Sequence, residues 1–558
     1  MKYLIIGGVA GGATAAARIR RNDESGEIIL FERGNHISFA NCGLPYYIGG
    51  EIRERGDLLL LSVTAFSNRY DIDTRIRSEV IAIDRSGKRV LVRDLNRGRE
   101  YYESYDKLIL SPGASPTLPP IPGIKSPNVL TLRNIPDIDL IRERVITNGA
   151  KRVIIAGGGF IGVEMAENLT LSGAEVTIVE MAGQVMQQVD YTIAALIHHE
   201  LTSNGIELIL SDSVTKIEER DSGVVVYTSG GKELQADLVL WSTGVTPETR
   251  LALDAGLETG VTRGIKVDHY LRTADPDIYA VGDVIETTHL VTGKPHLSLL
   301  AGPANKQARI AADNAVMGNI STFEGVVSAG IIRIFSLTVG FTGASSLLLK
   351  KENIDHISSF TFSQSHASYF PDSSQLTVNT IFSPSDSRVL GVQIAGKEGV
   401  DKRIDIISQI IRKGGKVKDL CEVEQCYAPP FSSAKDPVNI AGFVAENILA
   451  KRLKIVNPDH PEEFMGEERV FLDVRTEKEC EGGVIPGAIN IPQEELRFRL
   501  DEVPDDKHVI IYCAIGMRAY LSYRILESNG FRNLSVLSGG YAAYNILERE
   551  RLRLKKSF

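Results

Sequence analysis

A short apolar run, Tyr3-Leu4-Ile5-Ile6, breaks into Gly7-Gly8-Val9-Ala10-Gly11-Gly12 and gives way to an Ala-rich stretch through Arg21. Unalternated apolar residues bounded by glycine predict a strand buried on both faces, and the Ala-rich stretch predicts a helix. A second strand, Ile28-Ile29-Leu30-Phe31, ends in Glu32. The same order recurs as Arg152-Val153-Ile154-Ile155-Ala156, Gly157-Gly158-Gly159-Phe160-Ile161-Gly162 and Glu175–Val179, ending in Glu180. A helix is predicted from Tyr191, with His198 and His199 at its surface because no further ligand stands at a metal-binding spacing. Strands such as Gly391–Ala395, with helices around 400–413 and 436–450, make residues 326–450 an α+β unit. Pro458–Glu463 reads as a polar linker. Beyond it, strands at Arg469–Arg475 and His508–Tyr512 precede Cys513-Ala514-Ile515-Gly516-Met517-Arg518 and a helix.

A chain of 558 residues exceeds what one core supports and divides into several domains. At 43% hydrophobic and 24% charged residues it reads as an ordinary globular protein. The net charge of -9, without a long basic block, argues against nucleic acid as a partner. The basic tail Arg549–Lys556 is expected to be a solvated helix end. Five cysteines without paired spacing exclude a disulfide scaffold, and no run is long and apolar enough for a signal peptide or a membrane span. A reducing, cytoplasmic setting is the expectation. Nothing suggests a metal site.

Both glycine turns sit between a strand and a helix, where the helix N-terminus faces a pyrophosphate and the acid at the next strand end takes ribose hydroxyls. Glu32 and Glu180 fill that acidic role. Val9 replaces the second glycine in the first copy, whereas the second copy is complete. No arginine follows Glu180, which favours NADH, with NADPH possible. Two nucleotide turns in one chain suggest hydride passing from nicotinamide to a flavin.

The stretch Ile37-Ser38-Phe39-Ala40-Asn41-Cys42-Gly43-Leu44-Pro45-Tyr46-Tyr47 carries one cysteine and no second one beside it. Cys42 is therefore either a small core residue or a redox thiol. Cys421 and Cys426 lie near each other but have no cofactor motif around them, so packing is their expected role. Cys513 ends a strand and opens a glycine-bearing loop into a helix, where backbone N–H groups and Arg518 are expected to lower its pKa.

Thr273-Ala274-Asp275-Pro276-Asp277-Ile278-Tyr279-Ala280-Val281-Gly282-Asp283 resembles the second flavin motif of the disulfide-reductase flavoproteins. The stretches at Ser111-Pro112-Gly113 and Ser242-Thr243-Gly244 resemble their crossovers between nucleotide domains. With the lone Cys42, residues 1 to about 450 resemble the coenzyme A-disulfide reductases. The Cys513–Arg518 loop, Gly487–Pro492 and Gly539-Gly540-Tyr541 resemble a rhodanese domain. The implied fold is α/β: two Rossmann-like dinucleotide-binding domains, an α+β dimerisation domain and a C-terminal α/β rhodanese domain. Expected boundaries are 1–110 with 240–325 for FAD, 111–239 for NAD(P)H, 326–452 for dimerisation, 453–461 for the linker and 462–558 for rhodanese.

The resemblance also implies roles. Gly7, Gly8, Ala10, Gly11, Gly12, Glu32, Arg33, Ser111, Gly113 and Asp283 would hold FAD, and Gly157, Gly159, Gly162 and Glu180 would hold NADH. Thr14, Arg18, Arg21, Ser38, Asn41 and Lys435 match coenzyme A contacts, with Arg18 and Arg21 for its phosphates. Cys42, Tyr369, Tyr427, Cys513 and Arg518 match catalytic positions, the tyrosines acting from the partner subunit of a homodimer. Tyr70 and Asn305 stand where relatives can have lysine and histidine. The implied reaction is NADH-dependent reduction of coenzyme A disulfide, coenzyme A persulfide or polysulfide through a Cys42–coenzyme A mixed disulfide, with Cys513 handling sulfane sulfur. The alternatives are an NADH oxidase or peroxidase using a Cys42 sulfenic acid, which the missing histidine near Val9-Ala10-Gly11 disfavours, or a carrier whose Cys513 donates sulfur to another protein.

Overall fold

Ile5, Leu30 and Leu108 are buried on adjacent strands, as expected for apolar residues that do not alternate. They belong to a parallel five-stranded sheet in a computed structural model that describes residues 1–463, 466 and 468–556. Within the expected 462–558 segment, residues 464, 465, 467, 557 and 558 lie outside the described residues. Contacts divide the chain into two units, Met1–Gly183 with Gly205–Val326, and Gln184–Asn204 with Val327–Phe558.

The first unit holds two parallel five-stranded sheets. One orders Asp73–Arg75, Glu27–Phe31, Lys2–Ile6, Lys107–Leu110 and Ile278–Ala280. The other orders Glu207–Leu210, Glu175–Glu180, Arg152–Ala156, Leu238–Trp241 and Val129–Leu130. Each glycine turn leaves the end of a central strand and enters a helix, Ala10–Asn22 or Phe160–Leu171. Ala13, Ala15, Ala16 and Ala17 are buried, and their small side chains let the first helix sit close to its sheet and to the Ala301–Met317 helix.

In the second unit an antiparallel sheet orders Gly330–Ile334, Leu337–Gly343, Val389–Gly396, Gln375–Phe382 and Ile357–Gln364. Its helices run over Val400–Arg412 and Pro437–Leu449, near the expected bounds. A second, parallel sheet orders Ile455–Val456, Leu534–Leu537, His508–Tyr512, Arg469–Asp473 and Ile489–Asn490. The two are packed together: Val444 and Ile448 join the core of the parallel sheet, and Phe360 N–H donates to Ser538 Oγ at 2.8 Å.

Three expectations need correction. His198 is fully buried, not at the surface, while His199 is exposed. Its Nε2 accepts the Val185 N–H at 3.1 Å, so Nδ1 carries the proton toward Glu550 Oε1 at 2.7 Å. The basic tail is solvated only in part: Arg549, Arg551 and Lys555 are exposed as expected, but one face of the helix is docked. Glu550 is buried and bonded to both His198 and Arg553, within the Gly540–Lys556 helix. The stretch read as a linker is tied down: Asp459 Oδ1 accepts from Thr192 N at 3.0 Å and Thr192 Oγ1 at 2.5 Å. Periodicity within one helix carries no trace of such long-range partners.

Among the described residues no helix is long and apolar enough to cross a membrane, and no group of three or more His, Cys, Asp or Glu residues is placed to hold a metal.

Candidate functional site

The first glycine turn is shaped by close approach. Gly7 has φ +100°, and a Cβ there would lie 2.0 Å from Ser111 O. A Cβ on Gly12 would lie 1.8 Å from Gly7 O, and one on Gly11 would lie 2.4 Å from Ser111 Oγ. Ala10 opens the helix, preceded by Val9, which supplies no side-chain cap, and no acid stands in the first turn. These N–H groups and the helix dipole therefore suit a phosphate. Glu32 holds the turn by accepting Gly8 N–H at 2.8 Å and Gly34 N–H at 2.7 Å. Arg33 reaches Glu248 at 3.2 Å instead of lying in the turn. Asp283 follows Gly282 and accepts from Arg133 Nη2 at 3.0 Å, and a Cβ on Gly113 would lie 2.9 Å from that same nitrogen. Arg133 is a site neighbour that no local motif announces.

The second turn repeats the construction. A Cβ on Gly157 would lie 2.6 Å from Ser242 O and one on Gly162 would lie 2.0 Å from Gly157 O, whereas one on Gly159 meets nothing within 4 Å. Glu180 accepts Gly158 N–H at 2.7 Å and Ala182 N–H at 2.8 Å. The Phe160–Leu171 helix starts without a side-chain cap or an acid in its first turn. Both turns fit a dinucleotide.

Cys42 lies in a single tight turn, Asn41–Gly43, that runs into the Leu44–Ile48 helix with proline in its first turn. That helix packs on the Phe160–Leu171 helix so closely that a Cβ on Gly49 would lie 2.1 Å from Asn168 Oδ1. The thiol is solvent-accessible, but its pKa is pushed up by desolvation and by the Glu164 and Asp283 carboxylates. Burial and both carboxylates therefore disfavour the thiolate. Glu164, which sequence reasoning missed, is raised to about 7 by burial, with Tyr46 Oη 3.5 Å away. Its position one turn past Gly159-Phe160-Ile161 was legible only as part of a helix.

Thr14, Arg18 and Arg21 share one face of the Ala10–Asn22 helix. Thr14 Oγ1 donates to Asn305 Oδ1 at 2.6 Å. Arg18 makes two bonds to Asp313, at 2.6 and 3.0 Å, so its charge is already largely compensated, while Arg21 is exposed. Arg309 also acts on Asp313, adding a second arginine to that carboxylate. Ser38 takes φ 47° and donates its N–H to Gly8 O, joining the cysteine stretch to the first glycine turn. Asn41 Oδ1 is buried with no hydrogen-bond partner in the described structure, an acceptor suited to a ligand donor.

In the second unit Tyr369 and Tyr427, 74% and 51% exposed, meet hydroxyl to hydroxyl at 3.1 Å. The bond to Tyr427 raises the Tyr369 pKa. Their loops are held by a buried node: Arg403 donates to both oxygens of Asp436 and to Ser365 O, and Ser432 Oγ donates to Asp436. Ala367 N–H also reaches Ser432 O at 3.0 Å. Lys435 is exposed, next to Asp436, which caps the Pro437–Leu449 helix. Sequence reasoning missed Arg403, since a lone arginine in an amphipathic helix reads as surface.

Cys513 is 1% exposed, and its sulfur accepts Gly516 N–H at 3.1 Å. Gly516 has φ +117° and precedes the Met517–Ser528 helix. Arg518 does not face the thiol as an unpaired cation. Its Nη1 and Nη2 bind the two oxygens of Glu479 at 2.7 and 2.6 Å, and this pairing holds Glu479 down at about 2.

The family model described as pyridine nucleotide-disulphide oxidoreductase matches residues 1–308, the dimerisation domain of that family matches 331–437, and a rhodanese-like domain matches 458–546. The chain is similar to a coenzyme A disulfide reductase of Staphylococcus haemolyticus, 33% identical over 450 residues, covering 80% of this chain and all of the relative. It also resembles the crystal structure of reduced Bacillus anthracis CoADR-RHD, at TM-score 0.96 and 42% identity over 99% of this chain and 98% of the other. A NAD-dependent persulfide reductase from A. fulgidus matches at TM-score 0.92 and 36% identity over 98% and 100%.

Proposed function

The chain belongs to the pyridine nucleotide-disulphide oxidoreductase family, and from that premise we propose that it reduces coenzyme A disulfide, coenzyme A persulfide or polysulfide with NADH, using FAD and Cys42, while Cys513 handles sulfane sulfur. The carrying observation is Cys42 itself: it is the sole cysteine of the first unit and lies in the turn that leads into the Leu44–Ile48 helix, which packs against the Phe160–Leu171 helix. With no resolving thiol beside it, the second sulfur of each redox cycle comes from the substrate.

When bound, FAD supplies two-electron transfer between NADH and the sulfur centre. The balance is NADH, a proton and coenzyme A disulfide giving NAD+ and two molecules of coenzyme A; with the persulfide, the products are NAD+, one coenzyme A and hydrogen sulfide. Cys42 attacks one sulfur of coenzyme A disulfide, forming a mixed disulfide and releasing one coenzyme A, or attacks the outer sulfur of the persulfide, forming a Cys42 persulfide and releasing coenzyme A. Two electrons and two protons then restore the Cys42 thiol and release coenzyme A or hydrogen sulfide. Thr14, Arg21, Ser38, Asn41 and Lys435 are proposed to grip coenzyme A, with Arg18 acting jointly with Asp313. The hydroxyl pair of Tyr369 and Tyr427 is suited to give a proton to a leaving thiolate, each from the partner subunit of a homodimer. Gly158 and its neighbours orient the nicotinamide nucleotide, and Glu180 favours NADH.

Two measurements test this reading. Mass spectrometry of the oxidised full chain should find coenzyme A on Cys42, released by reductant. Cys42→Ser should abolish NADH-dependent reduction of coenzyme A disulfide and persulfide. Full turnover by that variant would overturn the proposal.

A further inference from the structure

Arg518 lies within electrostatic reach of Cys513, yet both of its terminal nitrogens are taken by Glu479. Glu479 is itself fixed: its Oε2 accepts the Thr476 N–H and hydroxyl, each at 3.0 Å, in the capping box of the Glu477–Cys480 helix. Because Arg518 and the Thr476 bonds hold the carboxylate ionised, it stays charged at any ordinary pH. A second carboxylate, Glu494, also acts on Arg518. The Arg518 charge is therefore compensated, not free to meet an anion at the loop. The loop also presents apolar surface: Ile515 and Met517 are exposed in it, and Leu521 follows one turn later.

The geometry points to a sulfur site that takes its sulfane sulfur from organic persulfides and discriminates against small divalent anions such as thiosulfate, with Glu479 as the positioning residue that enforces the choice. The inference rests on the reading that Cys513 carries sulfane sulfur. In the favoured transfer, the Cys513 thiolate attacks the outer sulfur of R–S–SH and the S–S bond to R breaks; the proton of the transferred sulfur passes to the leaving R–S⁻, giving Cys513–S–S⁻ and R–SH. With thiosulfate the same attack would release sulfite, and two negative charges would have to approach a thiolate beside an Arg518 whose charge Glu479 already compensates. The donor carbon chain of an organic persulfide instead finds Ile515 and Met517.

The test loads the full chain with either thiosulfate or coenzyme A persulfide and follows the gain of one sulfur at Cys513 by mass, with Cys513→Ser as the blank. Wild type is expected to load from the organic persulfide and poorly from thiosulfate. Glu479→Gln keeps an oxygen for the Thr476 N–H and releases the Arg518 charge. It should raise loading from thiosulfate on the order of tenfold, through a lower apparent KM, and leave the organic persulfide within about twofold. That gain should shrink with added salt, which a change in loop structure would not produce. Adding Arg518→Gln to Glu479→Gln should return thiosulfate loading to the wild-type level. Equal loading by both donors in wild type, or parallel changes for both donors in Glu479→Gln, would overturn the inference. No sulfur on Cys513 from either donor would instead remove the reading on which it rests.

Discussion

Arg403 and Asp436 meet through two hydrogen bonds of 3.0 and 2.7 Å with both side chains buried. Burial alone would raise the Asp436 pKa, but the bonds from Arg403 and Ser432 outweigh it and hold the carboxyl below its usual value. Through Ser365 and Ser432 the pair joins the two loops that carry Tyr369 and Tyr427. A buried charge left without its partner costs about 3–5 kcal/mol. Arg403→Met should therefore lower thermal stability by about that much and loosen the tyrosine pair, visible as a drop in Tm and in kcat. Adding Asp436→Asn, which keeps the cap at Val438, should recover part of the stability. If Arg403→Met alone melts like wild type, the node is not holding the loops.

Glu164 gives a pH dependence of the opposite sign to most carboxylates. Its folded pKa of about 7 lies above its ordinary value of 4.5, so the folded state binds more protons between those limits. Stability from this group is thus fully retained below pH 4.5 and is lost as pH rises toward 7, by up to about 3 kcal/mol. Glu164→Gln should flatten that part of the Tm-against-pH curve and raise Tm at pH 8. An unchanged curve would show that the carboxyl ionises freely beside Cys42.

Glu180 is bonded to Gly158 and Ala182 backbone N–H groups, which aims its carboxylate at the turn. Replacing it with alanine should lower kcat/KM for NADH and raise the NADPH-to-NADH ratio of kcat/KM by about tenfold. Steady-state assays with both nucleotides check this, and an unaltered ratio would assign the preference elsewhere.

His198 and Glu550 form a buried link, with burial lowering the histidine pKa. Burial would raise Glu550, but Arg553 and His198 bring it down to about 2. Its contribution is present above its ordinary value of 4.5 and disappears as pH falls toward 2. Glu550→Ala leaves His198 Nδ1–H buried without an acceptor, which should cost about 2–3 kcal/mol at pH 7. Hydrogen exchange should then rise over Tyr191–Ser203 before it rises over Phe160–Leu171. Equal protection in both helices would contradict the link.

What could be read without coordinates follows from range. Tyr3–Ile6, Ile28–Phe31 and their counterparts at 152–156 and 175–179 are visible because each strand, turn and helix is written in adjacent residues. The glycine positions are visible because close backbone approach tolerates no side chain. The family assignment rested on such local motifs. Arg403, Glu164, Arg133 and Glu479 escaped because each acts on a residue far along the chain or through a charge pair whose second member local patterning cannot name. His198 was misjudged for the same reason: its partner stands 352 positions later. Arg518 was identified, but its neutralisation by Glu479 was not, and that changes the chemistry expected of the Cys513 loop.

Asp190, at the start of the Tyr191–Ser203 helix, spends its carboxylate on Ser346 and Asn379 instead of on the helix. Asp459 closes the helix in its place, from 267 positions downstream. Its carboxyl, raised to about 6 by burial with Asp190 nearby, keeps its bonds to Thr192. During synthesis, therefore, a ribosome that has delivered the whole stretch through Ala236 has not yet delivered the group that seals one of its helices. The nascent helix waits for the second half of the polypeptide, so the order of translation and the order of completed folding diverge.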